Sequence, residues 1–259
     1  MKVTDKVIVV TGAGNGMGRQ TSLEIVRRGG FVFGVDLNQE SLDETKKLVG
    51  DDSKFFGYRL DVSNQSEVAK VAILVIGKFG QIDGLINVAG IIQKFVPISQ
   101  LSYEEVHKVF NVNFFGAVNM VKEFLPYLQK RPEAQILNVS SMGGYVPVPG
   151  QTAYGASKAA LKLFTEGLRS ELKGTNVGVS LLFPGAVNTK ISINSGVVSE
   201  KELEEMAARS SKKFKTTDQV LAGKLIVDAF EKNPFHAFVG TDAKLMDRLS
   251  RFSLEERRN

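Results

Sequence analysis

Tyr154 and Lys158 stand four residues apart in Tyr154-Gly155-Ala156-Ser157-Lys158. On a helix that spacing puts a phenol and an ammonium on one face. A neighbouring cation favours the phenolate. Free tyrosine ionises near pH 10, so proton transfer near neutrality needs a downward shift of roughly 3 units, about 4 kcal/mol of differential stabilisation. A bare Tyr-xxx-Lys pair is common on helix surfaces, and two further residues give it meaning. Ser141 ends an apolar run 13 residues before Tyr154. Its hydroxyl can hydrogen-bond a substrate oxygen as charge develops there. Asn113 lies in Val112-Asn113-Phe114-Phe115-Gly116. An amide inside an apolar helix needs a partner. It can hold a backbone carbonyl, or a water linking Lys158 to solvent.

Other chemistries have less to work with. The 259 residues contain no cysteine, which excludes disulfides, thiolate metal sites and cysteine nucleophiles. The two histidines, His107 and His236, sit in no ligand-spaced cluster, and no metal is expected. A serine nucleophile at Ser141 lacks a local histidine base.

A second constellation opens the chain. Thr11-Gly12-Ala13-Gly14-Asn15-Gly16-Met17-Gly18 follows a first apolar run and opens a helix. Gly12, Asn15, Gly16, Met17 and Gly18 can bring backbone N–H groups and a helix N-terminus to a diphosphate. The plain alternative is a tight strand-to-helix turn. Asp36 ends the second run, with Leu37 beside it and no adjacent Arg or Lys. A carboxylate there can accept both ribose hydroxyls of NAD and repel the 2′-phosphate of NADP. Its alternative is a helix cap. Asp61-Val62 and Asn87-Val88-Ala89-Gly90 stand at matching ends of later runs. Ligands in open parallel sheets bind at those ends, so repeated polar and small residues there favour a cofactor cleft.

The elements that must position these residues are legible. Apolar runs at Lys6–Thr11, Phe31–Val35, Phe55–Leu60, Leu85–Val88, Ile136–Ser140, Val177–Phe183 and His236–Val239 alternate with helix-period segments. One long helical stretch covers about Tyr103–Leu128, with an irregularity expected near Gly116. Alternation at this length implies parallel strands joined by right-handed crossovers. The expected fold is α/β: one Rossmann-type, doubly wound parallel sheet of about seven strands with helices on both faces. No Pro/Gly/Ser-rich linker divides it, so residues 1–259 are read as a single NAD-binding catalytic domain.

These motifs together, in order and spacing, resemble the short-chain dehydrogenase/reductase family over nearly the whole chain. The resemblance rests on the Thr11–Gly18 loop, Asp61, Asn87 to Gly90, Asn113, Ser141, Tyr154, Lys158 and Pro184-Gly185-Ala186-Val187-Asn188-Thr189. It implies that Tyr154 donates or accepts the proton. Lys158 lowers its pKa and binds the nicotinamide ribose, Ser141 positions the substrate oxygen, and Asn113 supports a water relay. It also implies that Pro184, Gly185, Val187 and Thr189 hold the nicotinamide, with the Val187 backbone and Thr189 on its carboxamide. Val88 departs from the pattern, since many relatives carry a second asparagine there.

The expected function is therefore NAD-dependent interconversion of an apolar secondary alcohol and a ketone. A 3-oxoacyl-thioester reductase and a non-catalytic dinucleotide-binding module stand as alternatives. The wall residues expected around the substrate are Ile92, Phe95, Met142, Tyr145, Val146 and Val148. A flap at about 190–215 is expected to close over it, the alternative being that its apolar residues pack on the body or a subunit interface. A homodimer or homotetramer is expected, because the helix after Tyr154 carries more apolar surface than one sheet-facing stripe needs.

Net charge is +5, but the 33 basic and 28 acidic residues are interspersed, so no nucleic-acid footprint is expected. Lys212–Lys215 and the basic amphipathic tail, about 242–259, are read as a solvated run and a docked helix rather than a membrane contact. The amino terminus has no secretory pattern, and no stretch of about 18 apolar residues occurs. A cytoplasmic location is expected.

Overall fold

The computed structural model describes residues 1–189, 191–197 and 216–247. Most of the expected flap, the Lys212–Lys215 run and the end of the tail lie outside the described residues. Seven strands form one all-parallel sheet: β1 Val7–Thr11, β2 Phe31–Asp36, β3 Phe55–Arg59, β4 Gly84–Asn87, β5 Ala134–Val139, β6 Val177–Pro184 and β7 His236–Val239. Their order is β3-β2-β1-β4-β5-β6-β7, so the direction of winding reverses between β1 and β4. The cleft outside the strand ends at that reversal is where such sheets take ligands.

Both faces of the sheet are covered, which explains why the central strands read as continuous apolar runs. Val7 and Val9 point to one side. There α3 (Gln65–Phe79), α5 (Gly116–Leu128) and α6 (Thr152–Glu171) bury Val71, Phe124 and Leu168. Ile8 and Val10 point to the other. There α1 (Gly16–Arg27), α2 (Gln39–Val49) and α8 (Gln219–Lys232) bury Ile25, Leu42 and Phe230. Full burial of each such side chain contributes roughly 1.5–3 kcal/mol. Further helices among the described residues include α4 (Tyr103–Phe110) and α7 (Ile191–Asn194).

Local chemistry sets the helix ends. Asn38, Asn64 and Asp218 cap α2, α3 and α8 with side-chain oxygens, and Ser102 with Glu105 forms a reciprocal capping box on α4. The expected irregularity falls just before Gly116. Residues Asn111–Phe115 form one wide turn between α4 and α5, closed by a Gly116 N–H to Asn111 carbonyl bond five residues back. Such widened turns concentrate at functional sites. Among the described residues no helix is long and apolar enough to cross a membrane.

Candidate active site

The glycine loop leaves β1 through Gly12 in the left-handed region (φ 69°). A Cβ at Gly18 would lie 2.0 Å from the Gly12 carbonyl oxygen, so α1 closes onto the loop only because residue 18 is glycine. Asn15 precedes α1 but its side chain caps no N–H, and the first turn of α1 holds no acidic residue. In α2, α3, α4 and α8 those N–H groups meet a side-chain oxygen; in α1 they are left for an anion. Gly16, Met17 and Gly18 line a cleft of about 1170 Å³.

Asp36 is not a helix cap, because Asn38 fills that role. Its carboxylate accepts the Gly14 N–H (2.9 Å) and the Asn38 N–H (3.0 Å), which fixes it beside the glycine loop on the cleft wall. Leu37, 60% exposed, stands at the rim. Asp61 likewise caps no helix. Its Oδ1 accepts the N–H and hydroxyl of Ser63. Asp61 and Val62 line the far wall, and Asn119 holds the Val62 carbonyl. Sheet register sets Arg59 directly beside Asp36. Arg59 lines the same cleft and donates from Nε to the Leu37 carbonyl (3.2 Å). Adjacency in sequence could not show it, since the two residues meet only through strand pairing.

At the end of β4 the expected residues divide. Ala89 and Gly90 line the cleft, and the Ala89 N–H is held by the Thr11 hydroxyl (3.0 Å). Asn87 is 4% exposed and does not line it. Its amide donates to Asn138 on β5 (2.8 Å), and its Oδ1 is buried without a hydrogen-bond partner. Asn87 therefore ties neighbouring strands beneath the cleft rather than forming its wall.

The wide turn carries Asn113 inward, to 1% exposure. Its Oδ1 accepts the Ile91 N–H (2.8 Å), and its Nδ2 donates to the Ile91 carbonyl (2.9 Å) and to Ser157 Oγ (3.0 Å). The backbone carbonyl expected as a partner for this amide is that of Ile91. Lys158 is 3% exposed, and its Nζ donates to the Val139 carbonyl (3.1 Å). Burial lowers its pKa to about 8. Nζ sits 5.9 Å from the Tyr154 ring centroid. A Cβ at Gly90 would lie 3.2 Å from both Lys158 Nζ and Asn113 Oδ1, so this glycine keeps the space between them open.

Ser141, in extended conformation, accepts the Gly143 N–H, and its Oγ and the Tyr154 ring share the space beside Gly143. Adjacent Ser140 points away and donates to the Lys158 carbonyl (2.9 Å). Burial raises the Tyr154 pKa, and the Ser141 hydroxyl opposes that shift. The protein alone thus keeps the phenol protonated; the downward shift needs a further positive charge. Gln93, which the sequence reading passed over, is 4% exposed and accepts the Tyr154 N–H (2.8 Å). It stands in for the missing side-chain cap on α6. No local signal marks it, because it reaches α6 from the loop after β4.

The Pro184–Thr189 stretch leaves β6 at the same edge. The Gly185 N–H bonds the Val239 carbonyl (2.8 Å), Val187 bridges Thr217, and Thr189 lines the cleft. The described start of the flap crosses the cleft: Asn194 donates to Asn15 Oδ1 (2.9 Å) and Ser195 accepts the Ile92 N–H (3.0 Å). An uncapped α1, a fixed carboxylate at β2 and the side-chain-free Gly90 beside Lys158 fit an extended dinucleotide lying across the sheet edge.

Comparison with known proteins gives the same grouping. The family model described as short chain dehydrogenase matches residues 6–198. SadH of Mycobacterium tuberculosis, described no further than as an oxidoreductase, is 32% identical over 251 residues, covering 95% of this chain and 90% of its own. The 3-oxoacyl-[acyl-carrier-protein] reductase FabG of Thermotoga maritima is 35% identical, over 74% of this chain and 78% of its own. A short-chain dehydrogenase/reductase from Burkholderia phymatum, solved in complex with NAD, superposes with a TM-score of 0.89 at 27% identity, covering 100% of this chain and 97% of that one. With this fold, this cleft and these relatives, the chain belongs to the short-chain dehydrogenase/reductase family of oxidoreductases.

Proposed function

We propose that the protein is an NAD-dependent oxidoreductase interconverting an apolar secondary alcohol and its ketone, with Tyr154 as general acid/base. The observation that carries this reading is the grouping of Ser141 and half-buried Tyr154 with buried Lys158, whose Nζ lies next to Gly90 of the glycine-loop cleft. Bound nicotinamide supplies hydride exchange and, when oxidised, the positive charge the phenol lacks. Gly12, Asn15, Gly16, Met17 and Gly18 hold the diphosphate. Asp36, Leu37, Asp61 and Val62 hold the adenosine, Ala89 and Gly90 the middle, and Pro184 to Thr189 the nicotinamide. On alcohol oxidation the substrate O–H proton passes to the Tyr154 phenolate as the carbinol hydride departs. Ser141 Oγ donates to the substrate oxygen, and Lys158 Nζ steadies the phenolate. The space Gly90 leaves beside Asn113 lets the proton travel on.

Preference for NAD rests on Asp36, which would repel a 2′-phosphate. Arg59 beside it favours a second reading in which NADP is also accepted. An apolar substrate is supported by Ile92, whose N–H is held by Ser195 of the cleft wall, and by exposed Phe95 three residues on. FabG and the 3-ketodihydrosphingosine reductase of Bacteroides thetaiotaomicron, 31% identical over 89% of this chain, are named as reductases of a 3-oxoacyl and a 3-keto compound. The test is turnover on secondary alcohols of growing alkyl length, each with a charged analogue, under NAD and NADP. Efficiency should rise with chain length, fall with charge and favour NAD. A preference for short carboxylates or free sugars overturns the substrate class. Self-association through α5 and α6, where Leu163 is 70% exposed, is part of this reading, and light scattering should return a dimer or tetramer.

A further inference from the structure

The turn after β7 enters the site from a part of the chain that none of the motifs covers. Residues 241–247 are helical. At their start the Asp242 carboxylate accepts the Ala186 N–H (2.8 Å), inside the Pro184–Thr189 stretch. The fit is tight: a Cβ at Gly185 would lie 2.2 Å from Asp242 Oδ1, and one at Gly240 2.3 Å from the same atom. Only two glycines allow the carboxylate to approach that backbone. One residue on, the carbonyl of fully buried Ala243 accepts the Tyr145 hydroxyl (2.6 Å). Tyr145 follows the short turn that Ser141 opens. Its ring packs edge-on against Phe183 of β6 at 5.1 Å. Burial, with the carboxylates of Asp247 and Asp242, raises the Tyr145 pKa, so its hydroxyl stays a donor. One turn of chain thus grips the loop behind Ser141 and the segment on the opposite side of the reaction centre.

We propose that Asp242 is a positioning residue: its carboxylate sets the Pro184–Thr189 segment at the depth the nicotinamide requires, and Tyr145 ties that setting to the Ser141 loop. The inference rests on the proposal that this segment holds the nicotinamide. A charge-assisted bond to a backbone N–H is strong and costly to lose. Its loss should be felt only by the nicotinamide end of the cofactor, since the glycine loop and Asp36 lie elsewhere.

The experiment is calorimetric titration of wild type, Asp242→Ala and Asp242→Asn with NAD and with ADP-ribose, which lacks nicotinamide. Asp242→Ala should bind NAD about tenfold more weakly and ADP-ribose within about twofold of wild type. Asp242→Asn keeps an acceptor without the charge and should show a selective loss of about threefold. It carries the comparison if the alanine variant fails to fold. Lys244→Ala, exposed on the same turn, should change neither affinity. Equal losses for both ligands would mean a merely structural role, and no loss would mean none; either overturns the inference while leaving the proposed reaction intact. Wild type that binds ADP-ribose but gains nothing from nicotinamide would remove the underlying reading, and this inference with it.

Discussion

From β1 to β3 the cleft is made of backbone and two held carboxylates, Asp36 and Asp61; from β4 to β6 it is made of largely buried side chains that hold one another. In the first half, Gly12, Gly18 and the uncapped start of α1 shape the wall, and Asp36 is pinned by two N–H groups. In the second half, Asn113, Ser157, Tyr154 and Gln93 form one chain of hydrogen bonds running through α6, and Lys158 is held separately by the Val139 carbonyl. A backbone-built site resists side-chain exchange but not an added Cβ. A side-chain network tolerates shape changes poorly and loses its chemistry with one atom. The first half should therefore govern binding and the second half turnover.

The sharpest way to break that division is Tyr154→Phe. Removing one oxygen from the second half should lower turnover by about 10²–10⁴-fold while cofactor affinity stays near wild type. Near-normal rates would remove Tyr154 from the chemistry and collapse the contrast. Gly18→Val should do the opposite. Its Cβ would press within 2.0 Å of the Gly12 oxygen, so NAD binding should weaken by about 100-fold or more in a protein that still melts cooperatively. Intact NAD affinity in that variant would show that the loop is only a turn.

A smaller effect belongs to the charged pair at the β2–β3 edge. Asp36→Ala should narrow the NAD-over-NADP preference by about tenfold, and Arg59→Ala should widen it by a few-fold. Equal efficiencies with both cofactors in wild type would mean that Arg59 cancels Asp36.

The mildest test concerns stability rather than rate. Burial lowers the Lys158 pKa to about 8, below its ordinary 10.5. Between those values the unfolded chain binds more protons than the folded one, so this group's contribution to stability rises with pH. Its penalty is full below about pH 8 and gone above the unfolded value. Chemical denaturation of Lys158→Met against wild type should show the difference shifting toward wild type by up to about 3 kcal/mol across that window. A flat difference would mean that Lys158 is better solvated than its burial indicates.

The two halves also differ in how far they could be read without coordinates. Each of the seven apolar runs became a strand within two residues of its expected ends. The long Tyr103–Leu128 helix was expected to be irregular near Gly116, but the wide turn of Asn111–Phe115 was not foreseen as the device that turns Asn113 inward. Asp36 left two readings open. Asn38, two residues on, removed the cap reading by taking the cap itself. Arg59, Gln93 and Asp242 gave no signal, because each acts on a partner at least 22 positions away.

Sequence by itself determined the α/β alternation, the glycine loop, the Tyr154–Lys158 face and the family they belong to. All of these rest on short-range rules: strand and helix periods, a turn that needs glycine, a four-residue helical step. Tertiary structure alone decided what those residues meet. It turned Ser140 onto the Lys158 carbonyl, sank Asn87 between strands, set Arg59 against Asp36 and brought the turn after β7 onto the Pro184–Thr189 segment. The physical reason is that burial, strand register and carboxylate-to-backbone bonds join residues far apart in the chain. Their energies exist only once the sheet has closed.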